Sequence, residues 1–124
     1  MRDVPTSVAG HLRRLIEDGA DLCITEPVIM ELLAGPRDPR ELALIENLVN
    51  GLPLIPVDPT VDFRSAAQLY RASRSNGHPI RAQIDCLIAA VAVRLDVPLL
   101  QNDRDFIFLA EISPLKLYPF AGSR

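Results

Sequence analysis

Tryptophan is absent from these 124 residues and aromatics make up only 5% of them, so Leu, Ile, Val and Ala must do the packing. Cysteine occurs twice, at Cys23 and Cys86, both in apolar surroundings, with no CxxC pair and no nearby histidine. That usage gives no disulfide framework and predicts two buried, reduced thiols in a reducing compartment. No apolar run approaches the ~20 residues of a membrane span. The opening Met-Arg-Asp-Val-Pro-Thr-Ser has no apolar stretch of the kind a secretory leader requires. A cytoplasmic protein is therefore expected. A Gly-rich phosphate loop is also missing, and Ser65, Ser73 and Ser75 stand outside any nucleophile-elbow context. Positive charge is in short supply: 13 Lys and Arg against 16 Asp and Glu leave a formal net charge of -3. This excludes the basic footprint of a general DNA binder. It does not exclude nucleic acid, because a metal ion in an acidic site recruits phosphate that the bare protein would repel.

What is present reads as one domain. Hydrophobic residues make up 48% and charged residues 23%, ordinary values for a globular chain, and a chain of this size buries about two-thirds of its extended surface. Val8, Leu12, Leu15 and Ile16 share one face and predict a helix over residues 8–17, ended by Asp18-Gly19. A short strand is expected at 21–25. Pro27 suits the first turn of a helix reaching about Leu33. Asp38 as N-cap and Pro39 at the first helical position predict a second helix, which Asn50-Gly51 stops. Residues 54–57 read as a strand, and Asp58 or Thr60 caps a longer helix carrying Val61, Phe63, Ala66, Leu69 and Tyr70. After the loop 75–79 a strong helix is predicted over 81–95, with Ile84, Leu87, Ile88, Val91 and Leu95 on its buried side. A strand at 97–100, a helix at 105–112 and a strand at 115–118 complete the series. Strands alternating with helices predict an α/β fold with a mainly parallel sheet and helices on both faces.

Three acids stand where a small domain would place apolar side chains: Glu31 in Pro-Val-Ile-Met-Glu31-Leu-Leu, Asp85 in Ala-Gln-Ile-Asp85-Cys-Leu-Ile, and Asp103 in Gln-Asn-Asp103-Arg-Asp-Phe. A buried carboxylate is costly without compensation, and no Lys or Arg lies inside those apolar runs. Taken singly, each has a plainer reading: Asp85 as an acid favoured at a helix N-terminus, Glu31 as a partly exposed helix residue, Asp103 as a turn residue. Taken together they suit a hard divalent cation, since oxygen-only ligands match Mg²⁺ or Mn²⁺. Such an ion acidifies a bound water and offsets phosphoryl charge, the two needs of phosphodiester hydrolysis. Glu31 and Asp103 follow strands, and ligands of open α/β sheets bind beyond the carboxyl ends of strands. His11 and His78 have no spaced partner and do not read as ligands.

The segments Ile-Thr-Glu-Pro-Val-Ile-Met-Glu31-Leu-Leu-Ala-Gly, Ile-Asp85-Cys-Leu-Ile-Ala-Ala and Leu-Leu-Gln-Asn-Asp103-Arg-Asp-Phe, in this order, resemble those of the PIN-domain ribonucleases, in particular the VapC toxins of toxin–antitoxin pairs. The likeness runs from about Val8 to Tyr118 and includes Leu-Pro-Leu-Ile-Pro-Val between the helices. It implies a three-layer α/β/α domain, Mg²⁺- or Mn²⁺-dependent cleavage of RNA, a homodimer, and inhibition by a VapB antitoxin. By the same resemblance Glu31, Asp85 and Asp103 are the catalytic, metal-holding acids. Asp105 supports them from behind, and Arg81 contacts a phosphate or pairs with a site carboxylate.

The family's first acid, which ends an N-terminal central strand in an apolar-Asp-Thr/Ser context, has no match. Asp3 follows Met and Arg and is closely followed by Pro5. The expectation is thus a PIN-like domain over residues 1–124 whose N-terminal strand is absent, through a late start or natural loss, leaving unpaired sheet edges. Gln101 stands where the family often has a hydroxyl residue. Two other readings remain open: a catalytically impaired remnant serving as a dimerisation or antitoxin-binding module, and a small metal-dependent phosphatase-like domain.

Overall fold

Proline and aspartate set the helix starts. In the computed structural model, which describes residues 10, 13–14, 16–19, 22–99 and 103–118, the first fully bounded helix is α1, Glu26–Ala34, with Pro27 in its first turn. Helix α2, Pro39–Asn50, begins where the Asp38 carboxylate accepts the Arg40 N–H at 2.8 Å. Three more follow: α3 (Asp62–Ser75), α4 (Gln83–Leu95) and α5 (Arg104–Ile112). Ahead of α1, the described residues 10, 13–14 and 16–17 are helical, and Gly19, at φ 81°, takes a left-handed conformation just after them that suits glycine.

The chain forms two compact units, Met1–Pro56 and Val57–Arg124. In the first, Ile24, Ile45 and Val49 are buried and pack with Val28, Ile29, Leu32, Leu33, Leu48 and Leu52. The i, i+4 pairs Val28/Leu32 and Ile29/Leu33 give α1 its apolar stripe, and Ile45, Leu48 and Val49 give α2 the matching one. Ile24 and Leu54 form a parallel bridge: the Ile24 N–H donates to the Pro53 carbonyl at 2.9 Å and the Ile55 N–H to the Ile24 carbonyl at 2.7 Å.

In the second unit α4 packs chiefly against α3, and α5 touches both. Seven consecutive residues of α4, Cys86 to Ala92, are buried. A run rather than a stripe of burial marks a central helix. At the C-cap of α4, Asp96 sits in the left-handed region at φ 55°. Leu99 and Leu117 form a second parallel bridge, with the Leu99 N–H on the Lys116 carbonyl (2.9 Å) and the Tyr118 N–H on the Leu99 carbonyl (2.8 Å). At the start of α3, fully buried Asp62 is bound by Arg94 at 2.9 Å through both Nε and Nη2, and it accepts the Asp58 N–H at 2.8 Å.

Several expectations are corrected. Each of the four expected strands contributes one bridge residue, not an extended ladder, among the described residues. Pro53, Pro56 and Pro98 flank the bridged positions and cannot donate to a ladder. Neither Asp58 nor Thr60 is the N-cap of α3; that place is Val61's, and Asp58 instead closes the preceding turn by accepting the Thr60 N–H at 3.0 Å. Helix α4 starts at Gln83, so Arg81 lies ahead of it. Leu95 is exposed, and Cys23 is exposed while Cys86 is buried, so only one of the two thiols belongs to the core. Asp3, His11 and Gln101 lie outside the described residues. No helix among the described residues is long and apolar enough to cross a membrane.

Candidate active site

Asp105 is the hub of the polar groups in the second unit. Asp103 is the N-cap of α5, and its Oδ1 accepts the Asp105 N–H at 2.8 Å. That cap fixes the first turn, and there Asp105 is only 4% exposed. Its Oδ1 lies 3.2 Å from His78 Nε2. Its Oδ2 accepts the Arg81 backbone N–H at 3.2 Å and lies 3.5 Å from Arg81 Nε. Burial by itself would raise this carboxyl, but the bonds from His78 and from the Arg81 N–H, with the Arg81 charge, outweigh it and hold the group below the ordinary carboxylate value. Ionised, Asp105 only accepts hydrogen bonds, so the proton between it and His78 sits on Nε2.

The loop that delivers His78 and Arg81 is itself tied down. Gly77, at φ 79°, turns the chain after α3, where the His78 N–H donates to the Ser73 carbonyl at 2.9 Å. The Ile80 N–H donates to the Oγ of fully buried Ser73 at 3.3 Å. The His78 ring stacks on Phe108 of α5, with centroids 4.3 Å apart and planes 9° from parallel. Arg81 keeps 79% of its side chain exposed although its Nε faces Asp105.

Asp85 is half-buried in the first turn of α4, the positive end of that helix, whose N-cap Ala82 offers no side-chain cap. The buried Cys86 thiol is pushed up to about 11, first by burial and then by the charges of Asp85 and Asp105. Both carboxylates therefore bear on one thiol. Asp103 is exposed. Among the described residues of this unit no three His, Cys, Asp or Glu side chains gather closely enough to hold a metal ion. Glu31 belongs to the first unit, exposed on α1, where partial burial raises its carboxyl above the ordinary value.

The structure thus brings Asp103, Asp105 and Arg81 together around the start of α5, with Asp85 near enough to act on the same thiol as Asp105. The sequence left Arg81 to contact a phosphate, pair with a site carboxylate or stand as a solvated surface arginine; in the structure its Nε lies 3.5 Å from Asp105 while 79% of the side chain is exposed. Sequence reasoning gave His78 no role, yet it bonds to Asp105 from 27 residues away. No local spacing encodes such a contact; the only trace is a histidine fixed between Gly77 and Pro79.

Comparison with known proteins adds an independent line. Residues 8–112 match the PIN domain. The chain is 42% identical over 113 residues to VapC ribonuclease Mb1587 of Mycobacterium bovis, covering 90% of this chain and 84% of the relative. Ribonuclease VapC11 of Mycobacterium tuberculosis gives the same figures, 42% over 113 residues, 90% and 84%. Ribonuclease VapC19 of that organism is 35% identical over 104 residues, covering 83% of this chain and 81% of the relative.

Proposed function

This chain belongs to the PIN-domain family and, within it, to the VapC ribonucleases, and from that membership we propose that it is a toxin endoribonuclease hydrolysing RNA phosphodiester bonds. Its inhibitor is a VapB-type antitoxin, its working form a cytoplasmic homodimer, and its target an exposed single-stranded loop, because bases in duplex RNA are hard to reach. Residues 1–124 form one PIN-like α/β domain, its sheet mainly parallel and sandwiched in three layers. The two parallel bridges and the family match, which runs through both units, support that reading.

The observation that carries the proposal is the extent of the match: residues 8–112 span Glu31, Asp85, Asp103 and Asp105. Glu31, Asp85 and Asp103 would hold the divalent cation, Mg²⁺ or Mn²⁺. The donor set fits, since carboxylate oxygens alone select a hard ion over softer metals. When bound, the ion supplies an acidified water and charge compensation at the scissile phosphate. The raised Glu31 carboxyl is in keeping with a ligand that gains from a nearby cation. Asp85 lies in the first turn of α4, at the positive end of that helix, which favours a negative charge there. Asp105, held below the ordinary carboxylate value, pairs with Arg81, whose exposed guanidinium can engage a phosphate of the RNA.

The test is cleavage of a structured RNA with Mg²⁺ or Mn²⁺. Asp85→Asn is expected to lower the rate by at least about 100-fold, the upper end of what losing even an outer partner of a metal site costs. EDTA is expected to abolish cleavage and added Mn²⁺ to restore it. Equal cleavage by wild type and Asp85→Asn removes Asp85 from the assigned role.

A further inference from the structure

Arg81 is exposed, yet its Nε lies beside a buried carboxylate. A guanidinium has five N–H donors. With Nε directed at Asp105 Oδ2 from 3.5 Å and the backbone N–H of the same residue bound to the same oxygen at 3.2 Å, four donors remain on the two terminal amines. The side chain is nonetheless 79% exposed. An anchored, exposed fork of this kind matches a phosphate better than a freely moving arginine, because less motion is lost on binding.

What keeps the anchor in place is the other oxygen. Oδ1 of Asp105 is held by His78 Nε2 at 3.2 Å, and the imidazole cannot swing away because it lies flat on Phe108 at 4.3 Å. The carboxylate is thereby pinned at both oxygens, with Oδ2 turned to Arg81. Asp105 is 4% exposed, so water is a poor substitute for either partner.

We infer that His78 is a positioning residue for substrate binding: stacked on Phe108, it orients the Asp105 carboxylate, which fixes Arg81 as the cation that grips an RNA phosphate. The inference rests on the ribonuclease reading for its substrate. His78 itself touches no RNA and transfers no proton. Its loss is therefore felt in KM and not in kcat, and only while Arg81 is present.

The experiment is steady-state cleavage of a fluorogenic RNA loop with Mn²⁺ by wild type, His78→Phe, His78→Gln, Arg81→Ala and the double variant His78→Phe/Arg81→Ala, each with its melting temperature. His78→Phe keeps a ring on Phe108 and removes only the hydrogen bond. It is expected to raise KM about tenfold, the size of one charge-assisted hydrogen bond, with kcat changed by less than about twofold. His78→Gln restores a donor and is expected to return KM to within about threefold of wild type. In the Arg81→Ala background His78→Phe adds nothing further to KM, as expected of two residues acting through one contact. The inference is overturned if KM ignores His78→Phe, if kcat takes the loss, if Gln fails to rescue, or if the effect persists without Arg81. Wild-type protein that cleaves no RNA sinks the ribonuclease reading instead. Binding isotherms of the same RNA without divalent ion then decide the His78 inference by the same comparison, with Kd in place of KM.

Discussion

Among individual residues, the largest stability effect is expected at Arg94. Among the described residues it is the cation that binds fully buried Asp62, through two nitrogens at 2.9 Å, and the contact holds the Asp62 carboxyl low. Arg94→Met removes the cation and leaves a buried carboxylate without it. A loss of about 3–5 kcal/mol is expected, read by urea unfolding as a lower midpoint with an unchanged slope. Asp62→Leu added to it removes the stranded charge and is expected to recover most of that loss; if it does not, the pair matters through the Asp58 N–H and the turn before α3. The two kinds of acid also differ in how far the sequence exposed them. Glu31, Asp85 and Asp103 each interrupt an apolar run, so they were legible. Asp62 and His78 have partners 32 and 27 residues away, and a pairwise contact at that range leaves no pattern in a single sequence.

At the scale of elements, some helix limits were legible where the chain punctuates them, while the N-cap of α3 and the start of α4 were not. Asp38-Pro39 starts α2 and Gly51 follows its end, as their chemistry requires. The strand positions each hold one bridge residue among the described residues, where proline beside Leu54 and Leu99 cannot donate to a longer ladder. The end of α4 shows where local chemistry is not optimal. Asp96 holds a left-handed φ of 55° and pairs with Lys116 at 2.9 Å, both side chains well exposed. Glycine at this place removes a conformational cost of about 1 kcal/mol. An exposed ion pair is typically worth about half that. Asp96→Gly is therefore expected to stabilise the protein by about 0.5 kcal/mol, a small rise in Tm that a scan at fixed pH resolves. A fall in Tm would mean that the Lys116 pair outweighs the backbone strain.

For the molecule as a whole, the carboxylates pull stability in opposite directions as pH changes. The alternation of helix and strand pointed to the α/β class that the PIN match supports, but nothing in the sequence ranked the acids by environment; burial did that. Asp62 and Asp105 titrate below the ordinary carboxylate value in the folded chain, so their contribution is complete above the unfolded value of about 3.9 and is lost as pH falls through their folded values. Glu31 has the opposite sign. Its carboxyl is raised in the folded chain, so its ionisation disfavours folding as pH climbs through that raised value, and acid relieves it. Because Glu31 is exposed, its share is a fraction of a kcal/mol. From neutral pH downward, Tm is thus expected to rise slightly through the range just above ordinary carboxylate titration, and then to fall steeply below about pH 4 as Asp62 and Asp105 protonate. Glu31→Gln is expected to flatten the upper limb and raise Tm at pH 7 by a degree or two, while RNA cleavage is lost. If Glu31→Gln lowers Tm at pH 7, Glu31 contributes to folding through a contact of its ionised form, and its raised carboxyl does not mark a group held at a cost for metal binding.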